Sequence, residues 1–166
     1  MIALKNILVP TDFGEAADAA LSYARALARA FGGTLHVLHV TDNISARAVA
    51  GEAYSSKLFT DLQHDIEEAA HQRLDECLID NDPNPVPTKP VIVMSTTPAV
   101  EIVRYAQQAN VDLIVMGTHG RGAVARLLIG SVAERVVRIA PCPVLTVHHP
   151  EHEFVLPDTL AAVAHA

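Results

Sequence analysis

The 166-residue chain has no tryptophan, and aromatic residues make up only 4% of it. Hydrophobic residues nevertheless reach 50%, so the core must be aliphatic, built from Ala, Val, Leu and Ile. Lysine occurs only at positions 5, 57 and 89, and the formal net charge is −7. No nucleic-acid partner is expected, because affinity for a polyanion rests on neutralising its phosphates. A small nucleotide stays open, since backbone N–H groups alone can hold a phosphate. The two cysteines, Cys77 and Cys142, are too few for a secreted disulfide framework and read as small buried hydrophobes. No apolar run reaches the roughly 18 residues that cross a bilayer, so no membrane association is expected. Met1 to Pro10 is too short for a signal peptide, and charged Asp12 and Glu15 follow at once. Cytoplasmic residence is the expectation.

What is present alternates in period. Five short, β-branched runs read as strands: LKNILVP (4–10), TLHVLHV (34–40), KPVIVM (89–94), VDLIVMG (111–117) and CPVLTV (142–147). Three of them are nearly continuous in apolar residues, as strands covered on both faces are. Ala17, Ala20, Leu21, Ala24, Leu27, Ala28 and Phe31 follow helical spacing until Gly32-Gly33 stops them. A longer stripe runs through Leu58, Leu62, Ile66, Ala69, Leu74, Cys77 and Leu78, ending at the proline-rich NDPNPVP. Thr97 and Pro98 read as the cap and first position of a third helix, reaching about Ala109. Ser131 to Glu134 reads as a capping box for a fourth helix, which must end before Pro141. Strands and helices in alternation imply an α/β domain, an open parallel sheet with helices on both faces. The length fits one domain, placed at residues 1–148, with 149–166 a C-terminal tail. The polar segment 41–53 reads as a loop.

Half of the chain's eight glycines fall in GTHGRGAVARLLIGS, residues 117–131. Glycine costs backbone entropy, so the cluster points to tight turning or to close approach of a ligand. It is not a Walker loop, which needs G-x-x-x-x-G-K-[ST], nor the G-x-G-x-x-G that follows a first strand in dinucleotide folds. Gly130 and Ser131, at a helix start, would offer N–H groups, a hydroxyl and a helix dipole to phosphate. Ordinary turn glycines in a long strand-to-helix loop are the competing reading. Ligands in open α/β sheets bind beyond the carboxyl ends of strands, where strand order reverses. Pro10-Thr11-Asp12 after the first strand and Gly117 to Gly120 after the fourth both suit that place. Asp12 is equally suited to accept from a ribose hydroxyl or base amine and to cap the turn before the first helix.

At Gly117-x2-Gly120-x9-Gly130-Ser131 the chain resembles the ATP-binding subset of the universal stress protein family. ILVPTD, DLIVMGTHGRG and LLIGSVAERVVRIAPCPVLTV resemble the same family, over residues 3 to 148. The resemblance implies a Rossmann-like, five-stranded parallel sheet of order 3-2-1-4-5, which puts strands one and four at the reversal point. It implies ATP or AMP as ligand, with Mg²⁺ accompanying ATP through phosphate oxygens and waters. Pro10 and Asp12 would lie on the adenosine side, and the Val40 backbone would meet adenine. Met116 and Gly117 would line the ribose region, and Gly120, Gly130, Ser131 and Val132 would hold the phosphates. It further implies a homodimer paired through strand 142–147, leaving any protein client unidentified. One departure is visible, Thr96-Thr97-Pro98 where the family often has Gly-Asp-Pro.

Other constellations are weaker. His148, His149 and His152 stand near Glu151 and Glu153, but a tail without a second ligand cluster reads as solvated linker rather than a metal site. His36 and His39 fall on opposite faces of the second strand. A Ser131, His119, Asp12 triad lacks the G-x-S-x-G elbow. Neither an SGG-x-D-S loop nor a HIGH signature marks an adenylating enzyme. The leading expectation is a non-catalytic, nucleotide-binding stress sensor or regulator. Its rivals are a dimeric client-binding module with a vestigial pocket and a slow ATPase or autokinase.

Overall fold

In a computed structural model, residues 2–44, 56–79, 85–118 and 130–148 are described. The element order is β1 (Asn6–Thr11), α1 (Glu15–Phe31), β2 (Thr34–Thr41), α2 (Ser56–Cys77), β3 (Thr88–Met94), α3 (Pro98–Gln108), β4 (Leu113–Gly117), α4 (Ser131–Ile139) and β5 (Val144–Val147). All pairings are parallel, and the strand order is β3-β2-β1-β4-β5, as the resemblance implied. Each run expected to be a strand is one, within two residues at either end. The tail 149–166 and most of the 41–53 loop lie outside the described residues.

Strand alternation divides the core in two. On one face Ile7, Val9, Leu35 and Val37 pack against Ala20 and Ala24 of α1 and Leu74 of α2. On the other, Leu8, Leu38 and Ile114 pack against Ile102 and Ala106 of α3 and Val136 of α4. Fully burying one Leu or Ile stabilises by about 1.5–3 kcal/mol, so the three central strands anchor both layers. At the edges, β3 is largely exposed along its first half and carries Pro90, a residue that an edge strand tolerates because it cannot donate to a ladder.

Helix boundaries follow local chemistry, with two corrections. Gly32 takes φ 65° and caps α1, its N–H bonding the Ala28 carbonyl, a left-handed geometry that costs glycine least. Pro98 is the first residue of α3 with Thr97 before it, and Ser95 accepts the Thr97 N–H at 3.1 Å. The first correction concerns α4. Its N-cap is Gly130, not Ser131, and no side chain caps it. The Gly130 N–H bonds the Thr118 carbonyl, while the Gly130 carbonyl accepts from Glu134 at 2.9 Å. That pull from the β4 end starts the helix one residue early, and Glu134 pairs with Arg138 at 2.8 Å instead of closing a capping box. The second concerns α2, where Leu62 is 46% exposed and Gln63 is buried. Gln63 and Ala70 are buried in place of Leu62 and Ala69, with the Gln63 amide bonding the segment that follows β2, while Leu74, Cys77 and Leu78 pack inward as expected.

Candidate functional site

Strand order reverses between β1 and β4, and the residues expected at a ligand site gather at the carboxyl ends of the central strands. Pro10 is the penultimate residue of β1, Val40 nearly ends β2, and Met116 and Gly117 end β4. Gly130, Ser131 and Val132 form the start of α4. The Gly130 bond to Thr118 ties that start to the β4 end. Gly120, His119, Arg121 and Arg126 lie outside the described residues.

The turn after β1 is built by its own side chains. Thr11 Oγ1 accepts the Phe13 N–H at 3.0 Å, and Asp12 Oδ1 accepts the Gly14 N–H at 3.1 Å. Asp12 therefore does act as a turn former, one of its two expected roles. Phe13 is driven into the left-handed region at φ 61°, uncommon for a bulky residue and a place where strain is stored. The turn aims its ring between two partners. The His39 ring lies 4.3 Å away, centroid to centroid, and the Arg73 guanidinium carbon 4.7 Å from the ring centroid on the α2 side. His39 Nδ1 is 2.8 Å from the Thr11 carbonyl. A carbonyl only accepts, so Nδ1 carries the proton.

These groups form one end of a crevice of about 520 Å³ between α2 and the ends of β2 and β3. Phe13, His39, Thr41, Ile66, Ala70 and Arg73 line it together with Val40. It offers an apolar wall, a cation and strand-end backbone, a combination suited to a planar, polar-edged body. The Thr41 hydroxyl is buried without a hydrogen-bond partner.

The other end of the site is organised by Thr118, which is 1% exposed. Its N–H bonds the Val147 carbonyl at 2.9 Å, its carbonyl takes the Gly130 N–H, and its hydroxyl lies 3.1 Å from His148 Nδ1. One residue thus locks the ends of β4 and β5 to the start of α4. Because the Gly130 N–H is engaged, the N–H groups that α4 leaves without intrahelical acceptors are those of Ser131, Val132 and Ala133. They and the helix dipole make an anion-binding geometry.

One histidine and the two cysteines single out other chemistry. His36, 6% exposed, lies 2.8 Å from the Tyr105 hydroxyl, and burial followed by nearby Lys89 lowers its pKa from 6.5. Cys77 and Cys142 are half-buried rather than fully buried, and burial raises both thiols. Among the described residues no group of three or more His, Cys, Asp or Glu stands close enough to hold a metal ion. No described helix is long and apolar enough to cross a membrane. Sequence reasoning missed Phe13, Arg73, Gln63 and Thr118. Only the DFG at 12–14, a polar-to-glycine turn next to a strand end, hinted at Phe13.

Comparison with known proteins agrees with the architecture. The model of the universal stress protein family matches residues 3–148. Universal stress protein MJ0531 of Methanocaldococcus jannaschii is 32% identical over 149 residues, covering 90% of this chain and 85% of that protein. Universal stress protein MJ0577 of the same organism is 31% identical over 156 residues, covering 88% and 96%. The solved structure of MJ0577 superposes with a TM-score of 0.75 at 29% identity, covering 89% of this chain and 98% of the other. The universal stress protein UspA from Lactobacillus plantarum gives 0.65 at 28% identity, covering 89% and 99%. A universal stress protein solved in complex with cAMP gives 0.58 at 21% identity, covering 89% and 99%, a likeness of fold.

Proposed function

The chain belongs to the universal stress protein family, and from that premise we propose that it binds an adenine nucleotide, ATP or AMP, as a stress-related sensor or regulator in the cytoplasm. The observation that carries this reading is the junction at the strand-order reversal. There the start of α4, tied to the β4 end by the Gly130 to Thr118 bond, faces the same sheet edge as Asp12 and Val40. Phosphates fit one end and a planar base the other. The N–H groups of Ser131 and Val132 take phosphate oxygens, with Gly120 and Gly130 allowing close approach. Met116 and Gly117 flank the ribose, Pro10 and Asp12 border the adenosine, and the Val40 backbone meets adenine. With ATP, Mg²⁺ rides on phosphate oxygens and waters, as an ion that keeps several waters does.

We assign the protein no catalytic role. The working unit is a homodimer paired through the β5 edge, spanning residues 1–148 of each chain with 149–166 as a tail. The fact that a universal stress protein of the same fold was solved with cAMP supports a nucleotide over an unrelated ligand. Purified protein, denatured and analysed by absorbance and mass, is expected to release an adenine nucleotide. Calorimetry on the emptied protein is expected to show saturable ATP or AMP binding. No released nucleotide together with no binding heat would sink the proposal and leave the interaction-module alternative.

A further inference from the structure

Gln63 is a polar residue on the inward face of an otherwise amphipathic helix, only 8% exposed. Burying an amide is costly unless its groups are bonded, and here both ends are. Its Oε1 accepts the Ile44 N–H at 3.1 Å. Its Nε2 donates to the Asp42 carbonyl at 3.2 Å and to Glu67 Oε1 at 3.1 Å. The partners fix the amide's orientation: a backbone N–H only donates and a carbonyl only accepts, so a flipped amide would face two repulsive contacts.

The bonds join two particular surfaces. Three and seven residues along α2 from Gln63 lie Ile66 and Ala70, on the same helix face, and both wall the crevice. Asp42 immediately follows Val40 and Thr41, the end of β2 that forms the crevice's floor. The amide therefore bolts the wall to the floor beside the opening.

We propose that Gln63 is a positioning residue for the base end of the site, setting the spacing between α2 and the strand end that carries Val40. The inference rests on the nucleotide reading above. A planar base gains affinity from a gap already held at its thickness, because a loose gap must be ordered when the ligand enters. The phosphate end, held by Thr118 and the start of α4 on the far side of β1, is independent of this bolt.

The test uses the full chain with Gln63→Met, which matches the length and keeps the helix face filled, and Gln63→Glu, which keeps the acceptor for Ile44 but loses both donors. Losing these bonds is expected to weaken ATP binding roughly five- to twentyfold, mainly through faster dissociation, because the gap must then be ordered on binding. Competition by inorganic tripolyphosphate, which lacks a base, is expected to stay as in the unaltered protein. The preference for ATP over GTP is expected to shrink. ATP affinity unchanged in both variants would overturn the inference, as would ATP and tripolyphosphate weakening in step, since that reports general loosening. Failure of the unaltered protein to bind ATP at all would instead overturn the nucleotide reading, and this inference with it.

Discussion

A Cβ placed on Gly117 would lie 2.7 Å from the carbonyl carbon and oxygen of Ala16 and 2.8 Å from its Cβ. The first turn of α1 rests directly on the end of β4, and the glycine there makes room for a helix. Gly117→Ala must push α1 off the sheet at the point where strand order reverses. Overpacking of this kind costs about 1–3 kcal/mol, read as a lower urea midpoint with unchanged slope. Nucleotide retention is expected to fall as well, because the displaced helix start adjoins the turn that holds Asp12. Stability equal to that of the unaltered protein would show that the first turn yields freely.

Gly130 is different. Its φ of −69° and ψ of 155° are open to any residue, so conformation gives no reason for glycine there. The phosphate approach proposed above would supply one. Gly130→Val leaves the bond to Thr118 possible and replaces a tolerated cap by a poor one, a cost of about 1 kcal/mol. The isopropyl group would stand where phosphate approaches the α4 start, and affinity for ATP is expected to drop more than tenfold by calorimetry. Equal affinity would remove this glycine from the site.

The β5 edge invites pairing. Leu145 is 39% exposed on an open edge strand, and uncovered apolar edges are pairing hazards. A second copy of the same strand would cover it with two-fold symmetry. Leu145→Lys is expected to shift sedimentation at micromolar concentration from dimer toward monomer with the fold intact. Val147 is a poor probe of the same question, because it is 6% exposed in the core and Val147→Lys would unfold the chain first. A monomer before any substitution would refute the assembly.

Acid should find His36. Its pKa is lowered in the folded state, first by burial and then by Lys89, so the unfolded chain takes up the proton first as pH falls. Stability that is fully present above the ordinary value of 6.5 is then lost as pH drops through that value to the lowered one. Because acid acts on the whole chain, the comparison is with His36→Gln. The variant is expected to lose less stability between pH 7.5 and about 5.5 (a window set by the ordinary histidine range). Parallel pH curves for both proteins would show that the buried imidazole is not responsible.

The strands were readable because runs such as LIVM at 113–116 are apolar on both faces, and Gly32 ended α1 where a left-handed cap was needed. Strand order was not readable from such patterns: it came with the resemblance, since order depends on pairing across long separations. The same limit hid Gln63, whose neighbour Leu62 looks the better core residue until a carbonyl at Asp42 competes for that face. It also hid Phe13, placed between His39 and Arg73 by elements far apart in the chain. At the site, the glycine spacing marked the α4 start, but which N–H groups stay available depended on a contact from Gly130 to Thr118 across a long loop. Hydropathy sees which residues leave water; it does not see which carbonyl waits for them.

Chemistry on the bound nucleotide is expected to be far slower than binding. Phosphoryl transfer needs cations on the developing charge and a group that orients the nucleophile. Arg121, Arg126 and His119 are the residues near the phosphates by sequence, and no lysine accompanies them. At the other end Asp12 is already a turn former, its Oδ1 on the Gly14 N–H, and the proposed binding mode puts it toward the nucleoside rather than the terminal phosphate. A helix N-terminus stabilises ground-state phosphate about as well as it does the transition state, and uniform binding of that kind does not accelerate a reaction. Steady-state ATP hydrolysis is therefore expected well below about 1 s⁻¹, the low end for ordinary enzymes. Any residual rate is expected to be insensitive to Arg121→Ala and His119→Ala. Faster turnover, abolished by either change, would mean that the loop supplies the missing cation or base, and the protein would have to be read as an ATPase or autokinase.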